Sequence, residues 1–355
     1  MTLRLVQVSN FRCLYSAELE FDPKFTLIVG PNASGKTSVL ESIYMLGRGR
    51  SFRTRRLDKL IRSGATRFVI YGEAGDSERC TRLGIEASAL GVRGKIDGDR
   101  VASLAELAAV LPVQIIDPEV HRLIEEGPSH RRRFLDWGVF HVEHSFVEKW
   151  QRFQQVLKQR NAALKARQPN VAVSAWDVDF VKLGVLIHDA RALYMEQLAP
   201  VASDIAKRLL GMQLSMTYRF GWSRDLSLDE ALKASWSHDQ DAGATQVGPQ
   251  RAEISFSLDG APVKDRISRG QQKLLAAALL IAQLSLFPSD PGTRPTLLLD
   301  DPAAELDSDR VLGLIREVLA QSVQLVVTSL NTSFEGFGRP GRRYALSGGA
   351  VKQIS

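Results

Sequence analysis

The sequence predicts a two-lobed α/β protein, in which a mixed sheet carries a phosphate-binding loop and a mostly helical second lobe is inserted into the first, with no long coiled coil. Three observations predict it. A glycine-rich loop at residues 30–37 follows an apolar strand and opens a helix, and a second apolar run that ends in acids lies far beyond it, with Asp300 264 residues after Lys36. Between the two, at about residue 130, short alternating segments give way to long helical ones. A single βαβ crossover needs far fewer residues, so residues 1–115 are expected to begin lobe I, 116–245 to form inserted lobe II and 246–355 to complete lobe I.

Apolar alternation predicts strands at residues 3–8 and 16–21, and the continuous apolar run 25–29 predicts a buried strand that stops at Gly30-Pro31. A helix follows over residues 36–46, then strands at 68–73, 83–87, 92–96 and 113–116. Residues 130–240 read as helical, with Trp150, Phe153, Val156 and Leu157 on one face and a break at Pro169-Asn170 before a second helix over 178–198. The β signal returns at 253–258, followed by an apolar helix at 272–286, a strand at 296–299, a helix at 308–320, a strand at 323–328 and a closing hairpin at Gly348-Gly349.

With 44% hydrophobic and 24% charged residues over 355 positions, the chain has globular composition, which excludes disordered, collagenous and disulfide-scaffold classes. The net charge of +6 is local: residues 48–67 hold eight basic side chains and one acid, or +7, so the rest sums to −1. Cys13 and Cys80 are too few for a disulfide framework or a four-ligand zinc site; they fit a reducing cytoplasm and read as packing residues. The longest apolar run, nine residues at 274–282, falls short of the ~20 that span a membrane, so no membrane partner is expected.

Gly30, Pro31, Asn32, Ala33, Ser34, Gly35, Lys36 and Thr37 fit G-x-x-x-x-G-K-[ST] between a strand and a helix. The glycines let successive N–H groups form an anion nest at a helix N-terminus. Together with Ser38 these residues are the expected ATP-binding set, with Lys36 on the β and γ phosphates and the Thr37 hydroxyl on Mg²⁺. The run 296–301 supplies a distal carboxylate: Asp300 would hold the metal and Asp301 orient the attacking water. By itself that run could equally be an ordinary strand end.

Residues 267–273, Ile-Ser-Arg-Gly-Gln-Gln-Lys, resemble the signature of ABC-type ATPases, and residues 304–307, Ala-Glu-Leu-Asp, resemble their D-loop, with Glu305 and Asp307. The bland alternative for the first is a polar helix cap. The resemblance implies an ABC-type head in which Ser268, Arg269, Gly270 and Gln271 act on ATP bound by a second subunit. Within that superfamily the chain resembles the RecF family, recombination and repair ATPases related to SMC heads, through Asn10-Phe11-Arg12, the P-loop, residues 48–56, Gly127-Pro128-Ser129-His130-Arg131-Arg132-Arg133-Phe134-Leu135-Asp136 and Gly248-Pro249-Gln250-Arg251. Gln250 stands where that family usually has His, Thr328-Ser329 replaces the sensing His of transporters, and Gln114 is only a loose match to a metal-sensing Q-loop glutamine.

The resemblance implies a weak, DNA-stimulated ATPase serving as a switch in recombination, replication and the SOS response. It implies an ATP-dependent homodimer, double-stranded DNA or gap junctions as ligand, RecR and RecO as partners, and a cytoplasmic location. The basic window is the expected DNA surface, with Arg50, Arg53, Arg55 and Arg56 its leading residues; the alternative is a solvated or internally paired run. Residues 131–133 read equally as a brace between lobes, and His121, His130, His141 and His144 as packing or surface residues rather than metal ligands. Two rival functions are the nucleotide subunit of a transporter and a DNA-binding module for which ATP is only structural.

Overall fold

The computed structural model describes residues 2–76, 79–143, 145–264, 266–288, 294–304, 306–330 and 339–354. These fall into two compact units, Met1–Val120 with Phe287–Ser355, and His121–Leu286.

The first unit opens with β1 (Thr2–Phe11), β2 (Leu14–Glu20), β3 (Phe25–Val29) and α1 (Lys36–Arg48). It continues through β4 (Arg67–Gly75), β5 (Cys80–Ser88), β6 (Gly91–Ile96), β7 (Asp99–Arg100), α2 (Ala105–Val110) and β8 (Val113–Ile116). The second unit contains α3 (Arg122–Glu125), α4 (Pro128–Val142), α5 (Phe146–Lys165), α6 (Asn170–Ser174), α7 (Asp177–Leu210), β9 (Leu214–Arg219), α8 (Leu228–Ala234), α9 (Trp236–Ala242), β10 (Glu253–Leu258), β11 (Ala261–Pro262) and α10 (Arg269–Ser285). The chain then returns to the first unit with β12 (Thr296–Asp300), α11 (Ser308–Leu319), β13 (Gln324–Ser329), β14 (Arg342–Ser347) and β15 (Ala350–Ile354).

Two six-stranded sheets build the first unit. One is antiparallel, in the order β2-β1-β4-β5-β6-β7; the other is mixed, in the order β15-β14-β3-β13-β12-β8, with only the β14–β15 hairpin antiparallel. β3, β12 and β13 are buried at every position, as interior parallel strands covered on both faces must be, which is why they read as unbroken apolar runs. The antiparallel strands instead alternate buried and open positions, as in β1 and β4. The apolar face of α1 (Val39, Leu40, Ile43, Leu46) joins the core that includes Val6, Phe68, Leu298 and Val326.

The second unit departs from the expected boundaries. Residues 246–286, assigned from sequence to the completion of lobe I, belong to it, because β10 pairs with β9 and α10 packs along α7. β9 itself was expected to be helical; Leu214 is buried and Met216 and Tyr218 are half-buried, and this short alternation is hidden in sequence behind a 34-residue helix that runs through Pro200. Arg131 pairs with both oxygens of Glu253 at 2.6 and 2.8 Å, and Arg132 donates to the Ala252 carbonyl, so this pair of arginines braces α4 to β10 inside one unit rather than between lobes. Fully buried Arg160 joins Asp177, Asp239 and Thr245, at 2.7–2.8 Å. His121 and His141 are buried, the latter against the Trp137 and Phe140 rings, and His144 lies outside the described residues. Both cysteines are free and exposed, contrary to the packing role expected: Cys13 sits in the turn after β1 and Cys80 at the start of β5.

Candidate nucleotide site and basic strip

The loop is assembled at the carboxyl ends of β3, β13 and β12. Gly30 donates its N–H to the Ser329 carbonyl at 3.2 Å, and a Cβ there would lie 2.4 Å from the Leu346 carbonyl oxygen, so the strand end admits only glycine. Ala33 (φ 62°) and Gly35 (φ 110°) adopt left-handed backbone, which turns the loop around its own concavity. Gly35 is the N-cap of α1 and, lacking a side chain, leaves that terminus without a side-chain cap. Inside the loop the Lys36 ammonium donates to the carbonyls of Gly30 (2.6 Å) and Pro31 (3.0 Å). Burial pushes this ammonium below its ordinary range, while the carboxylates of Asp301 and Asp300 pull it back.

The distal acids meet the loop through hydroxyls. Thr37 Oγ1 donates toward the Asp300 carboxylate, 3.1 and 3.0 Å from its two oxygens. Thr328 Oγ1 donates to Asp300 Oδ1 at 2.7 Å and accepts the Asp301 N–H at 3.0 Å. Thr328, on β13, thus fixes both acids. Asp301 has left-handed backbone (φ 44°), and its Oδ1 is buried with no hydrogen-bond partner among the described residues, as is Ser34 Oγ. Burial raises the Asp301 carboxyl above its ordinary range; Lys36 opposes the shift and Asp300 adds to it. Hydroxyl and carboxylate oxygens gathered in this way suit a hard divalent cation such as Mg²⁺.

Other expected residues make local contacts of their own. Ser268, Arg269, Gly270 and Gln271 open α10 in the second unit, where Ser268 Oγ accepts the Gln271 N–H (3.3 Å) and Gln271 Oε1 accepts the Ser268 N–H (2.9 Å). Asp307 caps α11 through the Arg310 N–H at 2.9 Å, and Glu305 is outside the described residues. Gln114 is buried within β8 level with Leu297, three residues short of Asp300. Gln250 Nε2 donates to the Val247 carbonyl at 2.7 Å. Ser38 Oγ lies 3.5 Å from Cys13 Sγ, a neighbour that sequence separation concealed.

Arg50, Arg53, Arg55 and Arg56 are all exposed. Arg56 is paired with Asp58 at 2.7 Å, whereas no ion pair among the described residues involves Arg50 or Arg55. Sequence reading missed Glu41, a fully buried acid on α1 that receives Arg12 Nε and Nη2 at 2.8 and 2.7 Å. Its only signal was a lone acid on the apolar helix.

Fold and site together define an ABC-type P-loop ATPase head. The model of the RecF/RecN/SMC N terminal domain matches residues 2–336. A DNA replication and repair protein RecF from Yersinia enterocolitica is 37% identical over 99% of both chains, and one from Enterobacter sp. (strain 638) is 39% identical over 93% of both. Among solved structures, the recombination mediator protein RecF with ATP, of the RecFOR pathway, superposes with a TM-score of 0.89 at 26% identity, covering 100% of this chain and 98% of that one. The chain belongs to the RecF family of DNA replication and repair proteins.

Proposed function

We propose that the protein is an ATP-operated DNA-binding switch that binds duplex DNA or gap junctions when two copies close around two ATP molecules. The observation that carries this reading is the convergence of Lys36, Thr37, Asp300, Asp301 and Thr328 at one strand edge. Residues 30–38 hold the triphosphate; Thr37 and Asp300 hold Mg²⁺, which neutralises phosphate charge when bound. Asp301, kept more basic than an ordinary carboxylate by burial, orients and deprotonates water. Ser268, Arg269, Gly270 and Gln271 close over the phosphate of the second copy, with Glu305 and Asp307 following the acids.

Hydrolysis is slow and DNA-stimulated in this scheme. Asp301 is shorter than a glutamate, and the Thr328 hydroxyl is already engaged in holding the two acids. Turnover is expected below the ~10 per second of a median enzyme. RecR and RecO as partners, recombinase loading at gaps and a cytoplasmic setting follow from the family. No helix among the described residues is long and apolar enough to cross a membrane, and Thr328-Ser329 in place of a sensing histidine favours the repair reading over a transporter subunit. Comparing DNA affinity with ATP, ADP and a non-hydrolysable analogue, with Lys36→Arg and Asp300→Asn as controls, tests the switch. Equal affinities in all three states would reduce ATP to a structural ligand.

A further inference from the structure

The basic strip is not a solvated loop, because its backbone is fastened to the nucleotide helix through one buried carboxylate. Glu41 lies four residues after Thr37, one turn along α1, and is completely shielded from solvent. A buried carboxylate is costly unless paired and hydrogen-bonded, and among the described residues the partners of the Glu41 carboxylate come from outside its helix. Arg12, in the turn after β1, binds both its oxygens, at 2.7 and 2.8 Å. Ser51 Oγ donates to Glu41 Oε1 and itself accepts the N–H groups of Arg53 (2.9 Å) and Thr54 (3.0 Å). Arg53 Nη1 stands 4.0 Å from Glu41 Oε2.

The far end of the strip is tied to the same turn. Arg12 donates through N to the Leu60 carbonyl (2.7 Å) and through Nη1 to the Lys59 carbonyl (3.0 Å), while Arg62 N–H reaches the Asn10 carbonyl at 2.9 Å. Phe52 packs edge-on against Tyr44 of α1, with ring centroids 5.4 Å apart. The strip therefore has a fixed root on α1, and Arg50, Arg53, Arg55 and Arg56 are its exposed side chains, with Arg53 alone of the four in reach of Glu41.

We propose that Glu41 is the positioning residue that locks the basic strip to the P-loop helix, so that a shift of α1 when phosphate engages Lys36 and Thr37 is carried into the strip's grip on duplex DNA. This rests on the reading of residues 48–67 as the DNA-facing strip. Purely structural glue would alter DNA affinity equally in every nucleotide state, whereas a coupling residue changes the ratio between states.

Anisotropy titrations of labelled duplex DNA in ATP and in ADP, on wild type, Glu41→Gln and Ser51→Ala, separate these outcomes. Wild type is expected to bind at least about fivefold tighter in ATP, the lower end of typical coupling; Glu41→Gln brings the ratio to about twofold or less and Ser51→Ala lowers it part way. ATP affinity measured with a fluorescent nucleotide stays within about threefold of wild type, since neither side chain touches the loop. Ser51→Ala removes only the strip's side of the contact and carries the test should Glu41→Gln fold poorly. A wild-type ratio that both variants preserve overturns the coupling alone. A wild-type ratio of one removes the switch reading, and undiminished DNA binding by the double reversal Arg53→Glu/Arg55→Glu removes the strip reading; either result overturns this proposal with it.

Discussion

Two helix N-termini carry the proposed phosphate contacts, and they are built in opposite ways. α1 begins at Gly35, with positive φ and no side-chain cap, whereas α10 begins at Ser268 with a reciprocal capping box to Gln271. The first leaves its terminal amides to a ligand drawn into a preformed nest. The second satisfies part of its terminus internally, so its polar groups are held in place before any ligand arrives. The contrast fits a division of labour in which α1 binds ATP in an isolated subunit and α10 contributes only on assembly.

The largest effect should come from filling the uncapped terminus. Gly35→Ala forces a side chain into φ 110° and within 3.2 Å of both Cys13 Sγ and Leu14 Cδ2, and should weaken ATP binding by about 100-fold or more, a loss of some 2.7 kcal/mol, read by titration with fluorescent nucleotide. Next, Asp301→Asn should retain ATP binding while hydrolysis falls by about 10²-fold, the lower end of a general base's contribution. Because burial raises the Asp301 carboxyl, it is protonated at a higher pH than an ordinary carboxylate. Wild-type single-turnover hydrolysis should accordingly fall away on the acid side at a pH above the usual carboxylate range, and that limb should vanish in Asp301→Asn.

A smaller effect is expected at the capped terminus. Ser268→Ala should lower stability by about 1 kcal/mol, the usual value of an N-cap, seen in the denaturation midpoint, with ATP binding to the monomer unchanged. A loss of monomer ATP binding there would erase the distinction between the two termini. The smallest change per residue belongs to the strip: reversing Arg53 and Arg55 should reduce the slope of log affinity for duplex DNA against log salt by about two, roughly one for each phosphate no longer neutralised, with nucleotide affinity intact.

The same contrast explains what could be read from the sequence. The P-loop and the β12 acids were legible because local chemistry dictates them: a nest needs glycine at fixed spacing, and strands buried on both faces are continuously apolar. The cap at Ser268 was also visible, since Ser and Gln three apart form a capping box wherever they open a helix. Thr328-Ser329 was read only as the absence of a histidine, because the bonds of Thr328 to the two acids cross 27 and 28 residues of chain. Glu41 was illegible for the same reason: Arg12 and Ser51 reach it from 29 and 10 residues away. β9 was lost to the helical pattern around it, and the second boundary was misplaced because pairing of β10 with β9, a tertiary choice, decides it.

The shared-site claim is tested most directly by sedimentation velocity on mixtures of two defective variants in ATP. Lys36→Ala lacks the phosphate clamp and Ser268→Arg blocks the terminus offered to a partner, so each alone should remain monomeric. Mixed, they should form a dimer with one complete site, joining Ser268 of the first to Lys36 of the second, and regain hydrolysis up to about half that of wild type, as one site of two allows. A mixture that stays monomeric while wild type dimerises, or Ser268→Arg dimerising alone as well as wild type, would contradict a nucleotide site completed by the partner.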